Sequence, residues 1–137
     1  MTFLVDTNVL SELRKGARAN PGVLRWFADA EERELWTSVL VVGEVRRGIE
    51  SLRRRDAIAA VALDQWLARL TESFADRILE VDTRVAEAWG RLSVPDPLPT
   101  VDGLLAATAL VHDLTLVTRN VRDVERTGAR LLDPFVT

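Results

Sequence analysis

Residues 3–12 read FLVDTNVLSE, a short apolar run that ends in an acid and then takes up the spacing of a helix. The run over residues 3–6 predicts a buried strand, and Val9 and Leu13 recur at the interval of one helix face. Asp6 therefore stands where a strand ends and a helix begins. At that place it is either the N-cap of the helix or part of a ligand site, because ligands of α/β sheets gather at the carboxyl ends of strands.

The same alternation of short strands and helices continues along the chain. Further strands are expected over residues 35–37, 78–81, 115–118 and 130–132. Helices are expected from near Asn8, over 21–27, after Ser38 through Ile49, over 53–74, after Asp82 and over 103–114. Such an alternation predicts one α/β domain over residues 1–137, a short parallel sheet flanked by helices on both faces.

Two segments have a distinctive pattern. Three prolines within residues 94–101 predict an extended connector, since proline lacks the amide proton and restricts the residue before it. In the helix over 53–74 the apolar residues that recur every fourth position, and are expected to face inward, are Ile58, Ala62, Trp66 and Leu70.

The composition of the 137 residues restricts the available chemistry. There is no cysteine and a single histidine, His112, which excludes disulfides, a cysteine-ligated zinc site and any histidine-based catalysis that does not use that residue. The formal charge of −3, from 18 basic and 21 acidic residues, argues against a non-specific nucleic-acid coat but allows a local basic groove. Any catalysis is therefore expected to depend mainly on carboxylates.

The first residues do not resemble a signal peptide, because their apolar run is short and has no basic leader. No apolar stretch approaches the roughly 20 residues that span a bilayer. We expect a cytoplasmic protein without a membrane segment.

Three acids interrupt otherwise apolar surroundings, namely Asp6, Glu44 within residues 39–45 (VLVVGEV) and Asp102 before an apolar helix. Glu44 is either a solvated residue at its helix margin or part of a site. Asp102 is either the N-cap of the next helix or a carboxylate kept ionised by the helix dipole. If the three converge, their repulsion favours a divalent cation, and oxygen ligands without histidine or cysteine suit Mg²⁺ or Mn²⁺.

These residues carry a family resemblance. Residues 5–12 (VDTNVLSE), Glu44 in its apolar helix, 102–109 (DGLLAATA) and 116–123 (LVTRNVRD) resemble, in order, the motifs of PIN-domain ribonucleases. Over its whole length the chain is similar to the VapC toxins of bacterial VapBC toxin–antitoxin pairs. The resemblance implies a Mg²⁺-dependent endoribonuclease that inhibits translation, is neutralised by a VapB-like antitoxin and forms a homodimer.

The resemblance also assigns roles to particular residues. The residues matched to the catalytic and metal-binding acids are Asp6, Glu44 and Asp102. The residues matched to groups that orient them or contact substrate are Thr7, Asn8, Thr118 and Asn120. Family members often carry a fourth acid at the position of Asn120, and Asp123 is the candidate replacement, which leaves open one or two bound cations.

Other side chains have two interpretations each. The arginines near the motifs, which either contact the RNA backbone or form a solvated face, are Arg46, Arg47, Arg119 and Arg122. His112 and the four tryptophans, Trp26, Trp36, Trp66 and Trp89, are expected to be structural, and the dimer is expected to use the helices between residues 38 and 74.

Two other functions compete with a nuclease. A PIN-like fold with weak catalysis that binds RNA or a protein is the alternative, supported by Asn120. A phosphoreceiver domain is excluded because no lysine follows Lys15, and the phosphatase pattern expects an acid where this chain has Asn8.

Overall fold

The computed structural model describes residues 1–136, over which five strands form one sheet in the order β3-β2-β1-β4-β5. The strands are β1 (Phe3–Val5), β2 (Leu35–Ser38), β3 (Ile78–Leu79), β4 (Thr115–Val117) and β5 (Leu131–Leu132). Each pair of neighbouring strands is parallel. The predicted α/β architecture with a short parallel sheet is confirmed.

Seven α-helices accompany these strands within the described range. They are α1 (Thr7–Leu13), α2 (Pro21–Asp29), α3 (Val39–Arg53), α4 (Ala57–Phe74), α5 (Thr83–Leu92), α6 (Thr100–His112) and α7 (Val121–Val124). None of the helices within residues 1–136 is long and apolar enough to cross a membrane.

Side-chain caps fix where several helices begin. The Ser38 hydroxyl accepts a hydrogen bond from the Leu40 N–H at 3.0 Å, and the Asp82 carboxylate accepts one from the Val85 N–H at 3.0 Å. Each cap satisfies a backbone donor that has no partner within its own helix. The sequence predicted a helix after each of these two residues. Ser38 places α3 directly after β2, and Asp82 starts α5 three residues after the end of β3.

The core is centred on the middle strands and on α6. All residues of β1 and β4 are buried, and so are Leu105, Ala106 and Ala109 of α6. Strands β1 and β4 are neighbours, with Val5 opposite Val117. The residues that follow these two strands therefore emerge side by side at the same edge of the sheet.

The structure corrects the predicted pattern of α4. This helix begins at Ala57, capped by Asp56, whereas α3 continues to Arg53. Ile58 is 87% exposed and Ala62 is also exposed, so the proposed inward stripe is wrong in its first half. Steps of four residues rotate by about 40° around a helix each time, so a stripe of four such residues leaves the buried face.

The residues that α4 does bury share a different spacing. They are Ala60, Leu67 and Phe74, flanked by the partly buried Leu63, Trp66 and Leu70. Apart from Trp66, these residues follow one another in alternating steps of three and four, which keeps them on one face of the helix.

Helix α6 begins earlier than the sequence suggested. Its first residue is Thr100 and its N-cap is Pro99, so the extended connector ends before residue 101. Asp102 thus lies inside the first turn, and its interpretation as the N-cap is wrong. The segment after β4, expected to be a polar turn, contains the short helix α7.

Candidate active site

Asp6 lies at the carboxyl end of β1 and is 3% exposed. Its Oδ1 accepts the Thr7 N–H at 2.7 Å, and its Oδ2 accepts the Thr118 hydroxyl at 2.8 Å and the Asn8 side-chain amide at 3.4 Å. Asp6 is also the N-cap of α1. The carboxylate is therefore held in a fixed orientation by groups from two neighbouring turns.

Thr7 connects Asp6 to a second acid. While its N–H donates to Asp6, its hydroxyl donates to Oε1 of Glu44 at 2.7 Å. Glu44 is only partly buried and lies on α3, the helix that follows β2. One residue thus ties the end of β1 to the second motif.

Thr118 and Asn8 join the fourth motif to the first. The Thr118 hydroxyl accepts the Asn120 N–H at 3.0 Å and the Asn8 amide at 3.5 Å. Oδ1 of Asn8 accepts the Arg119 N–H at 3.2 Å. These bonds follow from the parallel pairing of β1 with β4, which brings the two polar turns together.

Asp102 is half-buried in the first turn of α6 and completes the acidic cluster. Burial raises the pKa of its carboxyl to about 6, and the negative charges of Asp6, Asp123 and Glu44 act in the same direction. A hydrogen bond from the Asn120 side chain acts in the opposite direction. The structure therefore brings Asp6, Asp123 and Glu44 within electrostatic reach of Asp102.

Opposing effects also act on the pKa of Asp6. Burial raises the pKa of its carboxyl, the hydrogen bonds from Thr118 and Thr7 oppose that effect, and the Glu44 charge adds to it. Two neighbouring acids that both resist ionisation indicate an unneutralised negative cluster. Perturbed carboxylates of this kind are concentrated at functional sites.

The carboxylates at this site are compatible with a divalent cation. Within residues 1–136 no three acidic or histidine side chains stand close enough to form a ready-made metal cage. Mg²⁺ does not require one, because it commonly binds through one or two carboxylates and keeps waters or phosphate oxygens as its other ligands. The set of ligands is carboxylate oxygens alone, and among the described residues no basic side chain is paired with Asp6 or Glu44, so the set fits such an ion.

The four candidate arginines differ in their surroundings. Arg46 is already paired, with its Nη1 at 2.7 Å from Asp64 of α4 and 3.1 Å from Glu50. Arg47 and Arg122 are exposed and belong to none of the ion pairs found within residues 1–136.

Arg119 has a different neighbour, which the sequence reasoning missed. Its guanidinium carbon lies 4.5 Å from the centroid of the Phe135 ring. The signal in the sequence was the aromatic residue shortly after β5, a strand that pairs with β4.

The remaining candidates are structural in their contacts. His112 is the last residue of α6 and is partly buried. The tryptophans that pack against the core are Trp26, Trp36 and Trp66. Trp89 lies against Gly103, where an added Cβ would be 3.2 Å from its ring.

An apolar cavity of about 630 Å³ lies apart from the acids. Residues of α1, α2 and α4 line it, among them Leu13, Trp26, Trp66 and Phe74. None of the four acids belongs to its lining, so it is separate from the acidic site.

Comparison with known proteins shows the family of the chain. The family model described as PIN domain matches residues 3–129, and the chain belongs to that family. The chain is 30% identical to plasmid stability protein StbB of Pseudomonas syringae pv. tomato, over 97% of this chain and 98% of that protein.

More specific similarities point to the toxins of the family. VapC ribonuclease Y4jK of Sinorhizobium fredii is 27% identical over 97% of both chains. The crystal structure of FitAcB from Neisseria gonorrhoeae superposes with a TM-score of 0.89 at 27% identity, covering 99% of this chain and 100% of that one. The expected resemblance to VapC-type PIN toxins is confirmed.

Proposed function

We propose that this protein is a divalent-cation-dependent endoribonuclease toxin, which hydrolyses RNA phosphodiester bonds and thereby inhibits translation. The observation that carries the proposal is that Thr7 bonds to both Asp6 and Glu44, at 2.7 Å each, beside the half-buried Asp102 whose pKa their charges raise. Relatives named as VapC ribonucleases support RNA as the substrate.

The three proposed ligands come from different elements and would hold the cation jointly. Asp6, Glu44 and Asp102 are the proposed ligands of Mg²⁺ or Mn²⁺, and Asp123 is the additional candidate. The ion, when bound, would supply a water nucleophile at neutral pH and offset charge on the phosphoryl transition state. Thr7 and Thr118 keep the carboxylates of Glu44 and Asp6 oriented toward that position.

Asn120 and Asn8 have supporting roles in the same proposal. The Asn120 side chain lowers the pKa of Asp102 and so favours its ionised form, which is the form that binds a cation. Asn8 bridges the Asp6 carboxylate and the backbone of Arg119. Each amide thereby orders an acid without adding negative charge.

We also propose a VapB-like antitoxin as partner. Solved structures similar to this chain include FitAcB, VapBC-1 from nontypeable Haemophilus influenzae and a toxin-antitoxin complex from Klebsiella pneumoniae. The unneutralised acids offer a site where a basic side chain of an antitoxin would replace the charge of the cation. The homodimer stays a prediction, and Ile58 and Val61 on α4 are exposed apolar residues within the segment expected to form it.

The decisive experiment measures cleavage of RNA by the antitoxin-free chain in Mg²⁺ or Mn²⁺ and in EDTA. We expect cleavage only with a cation, and a fall of about 100-fold or more in Asp6→Asn and Asp102→Asn, because such a site contributes several kcal/mol. Asp113→Asn is the matched control, since Asp113 is exposed at the other end of α6.

Titration of Mn²⁺ by calorimetry provides a second readout that does not depend on the RNA. Wild type and Asp113→Asn should bind the ion, and Asp102→Asn should bind it more weakly. RNA binding with neither cation binding nor cleavage would replace the nuclease with an RNA-binding module, the alternative that Asn120 favours.

A further inference from the structure

Arg119 is anchored at the rim of the acidic site by its own backbone. Arg119 follows Thr118, whose hydroxyl donates to Asp6. The Arg119 N–H donates to Oδ1 of Asn8. Its side chain is exposed, whereas Thr118 is buried. The backbone of Arg119 therefore lies beside the acidic site, and its side chain extends from there into solvent.

The Phe135 ring gives that exposed side chain a defined position. The guanidinium carbon of Arg119 lies 4.5 Å from the ring centroid. A guanidinium that stacks on an aromatic face keeps its in-plane N–H groups free, and those groups match the oxygens of a phosphate. The contact thus orders the cation without using its hydrogen-bond donors.

Phe135 is itself held in place. Its N–H donates to Oδ1 of Asp133 at 2.9 Å, and its side chain packs against the core. The preceding strand is tied to the site because the Thr118 N–H donates to the Leu132 carbonyl at 3.0 Å. The ring therefore lies at the same edge of the sheet as the acids.

No carboxylate neutralises Arg119 within residues 1–136. It belongs to none of their ion pairs. Glu12 is near enough for Arg119 to contribute to lowering its pKa, but that carboxylate already accepts hydrogen bonds from Lys15 at 3.0 Å and from the Asn20 N–H at 2.8 Å. An ordered cation without an anionic partner remains available to a ligand.

We infer that Arg119 binds a phosphate of single-stranded RNA that flanks the scissile one, and that Phe135 is the positioning residue for its guanidinium. The inference rests on the proposed function, because it assumes that RNA enters the acidic site. The four acids repel the negatively charged RNA. The fixed guanidinium of Arg119 offsets this repulsion at the place where the RNA strand approaches the site.

The test measures binding of a short fluorescent single-stranded RNA by anisotropy, in EDTA and over a series of salt concentrations. Arg119→Ala should weaken binding by about tenfold at low salt and reduce the slope of log K against log salt by about 0.7, the contribution of one phosphate contact on a single strand. Arg119→Lys should keep the slope but bind more weakly than wild type, because lysine lacks the planar fork.

Arg84→Ala is the matched control. Arg84 is an exposed arginine beside Val111, which lies about 13 Å along α6 from Asp102 at 1.5 Å per residue. This variant should bind RNA as wild type does. An Arg119→Ala variant that matches Arg84→Ala in affinity and slope would overturn the inference, and so would a wild-type chain that does not bind the RNA.

The role of Phe135 is tested by two substitutions. Phe135→Tyr keeps the aromatic face and should bind as wild type does, whereas Phe135→Leu keeps an apolar side chain and should bind more weakly with an unchanged salt slope. Equal binding by both would refute the positioning role. During turnover Arg119→Ala should raise KM with little change in kcat.

The two levels of the proposal fail separately. Since binding is measured in EDTA, a chain whose RNA binding depends on Arg119 but which never cleaves would refute the nuclease and leave the phosphate contact standing. If cleavage depends on a cation but Arg119→Ala leaves RNA binding and KM unaltered, the nuclease stands and the phosphate contact of Arg119 is refuted.

Discussion

The hydroxyl of Thr118 donates a 2.8 Å hydrogen bond to Oδ2 of Asp6, although 112 positions separate the two residues in sequence. Both follow central strands of the parallel sheet, and the Asp6 N–H donates to the Val117 carbonyl at 3.0 Å. The bond opposes the effect of burial on the pKa of Asp6. Thr118 therefore favours the charged form of an acid whose burial favours the neutral form.

Replacing Thr118 by valine tests this relationship, because valine keeps the shape and removes the hydroxyl. We expect unfolding to become easier by about 1–3 kcal/mol, the cost of leaving a buried polar group without a partner. Cleavage should fall by about 10- to 100-fold, as for other groups that orient metal ligands. Urea denaturation and RNA cleavage provide the two measurements.

Thr118→Ser is the control, since serine keeps the donor. It should retain most of the activity and lose less stability than the valine variant. Valine and serine variants with equal activity would show that the hydroxyl does not orient Asp6.

Asp102→Asn should change how stability depends on pH in EDTA. The pKa of Asp102 is about 6 in the folded chain, above the usual 3.8. The folded state therefore holds the proton more tightly than the unfolded state, and stability is lost as pH rises from about 4 to about 6. Asparagine does not titrate, so this loss should be absent from the variant.

Between pH 4 and pH 7.5, the free energy of unfolding of Asp102→Asn should rise by about 1 kcal/mol relative to that of wild type. This value allows for the solvent that still reaches a half-buried carboxylate. Urea denaturation at several pH values measures it. A difference between the two proteins that stays constant from pH 4 to pH 7.5 would show that Asp102 titrates normally.

Much of the fold could be read from the sequence because the signals were local. The apolar run that ends at Asp6 and the cap at Ser38 marked the end of one strand and the beginning of a helix, and alternating elements implied a parallel sheet. The start of α6 was misplaced because Pro99 serves as its N-cap without a side-chain hydrogen bond. In that case the chain lacks the usual signature of a helix start.

The site was less accessible to such reasoning. That Asp6 and Asp102 influence each other depends on strand order and on the packing of α6, which no local pattern encodes. The ion pairs that occupy Arg46 depend on where α4 lies against α3, and the contact of Arg119 with Phe135 depends on the pairing of β4 with β5. The candidate site residues could be chosen from the sequence, but the side chains that contact them in the fold could not be predicted.

Ala75→Gly should stabilise the protein, the reverse of the usual effect in a helix. Ala75 ends α4 with φ at 44° and ψ at −108°, a backbone conformation that glycine adopts far more readily. Relief of strain of about 1–3 kcal/mol exceeds the entropy cost of glycine, so a net gain of about 1 kcal/mol is expected. Thermal and urea denaturation measure the change.

Ala68→Gly is the matched control in the same helix. Ala68 is exposed in the interior of α4, where glycine should cost about 1 kcal/mol. Destabilisation by both substitutions would show that the conformation at Ala75 is not strained.

Arg47 and Arg46 should differ in their effect on RNA binding. Arg47 lies three residues after Glu44 on α3, the spacing that places two side chains on one side of a helix. Arg46 is engaged by Glu50 and Asp64. Arg47→Ala should therefore weaken binding of single-stranded RNA in EDTA in a salt-dependent way, whereas Arg46→Ala should mainly lower the midpoint of thermal unfolding. The opposite ranking in the anisotropy assay would remove Arg47 from the RNA path.

Asp123 should matter more to the acidic site than Asn120, the residue at the usual position of the fourth acid. The charge of Asp123 raises the pKa of Asp102, whereas the Asn120 side chain lowers it by a hydrogen bond. Asp123→Asn should therefore weaken Mn²⁺ binding by about tenfold and lower cleavage more than Asn120→Ala does.

Asn120→Asp would add a carboxylate beside Asp102, so it should destabilise the cation-free chain and strengthen Mn²⁺ binding. Glu125→Gln is the control, as Glu125 is an exposed acid that does not act on Asp102. Calorimetry with Mn²⁺ and RNA cleavage rank the four variants. Asn120→Ala as the more damaging change would mean that the amide, and not Asp123, completes the site, because the hydrogen bond to Asp102 would then outweigh a fourth negative charge.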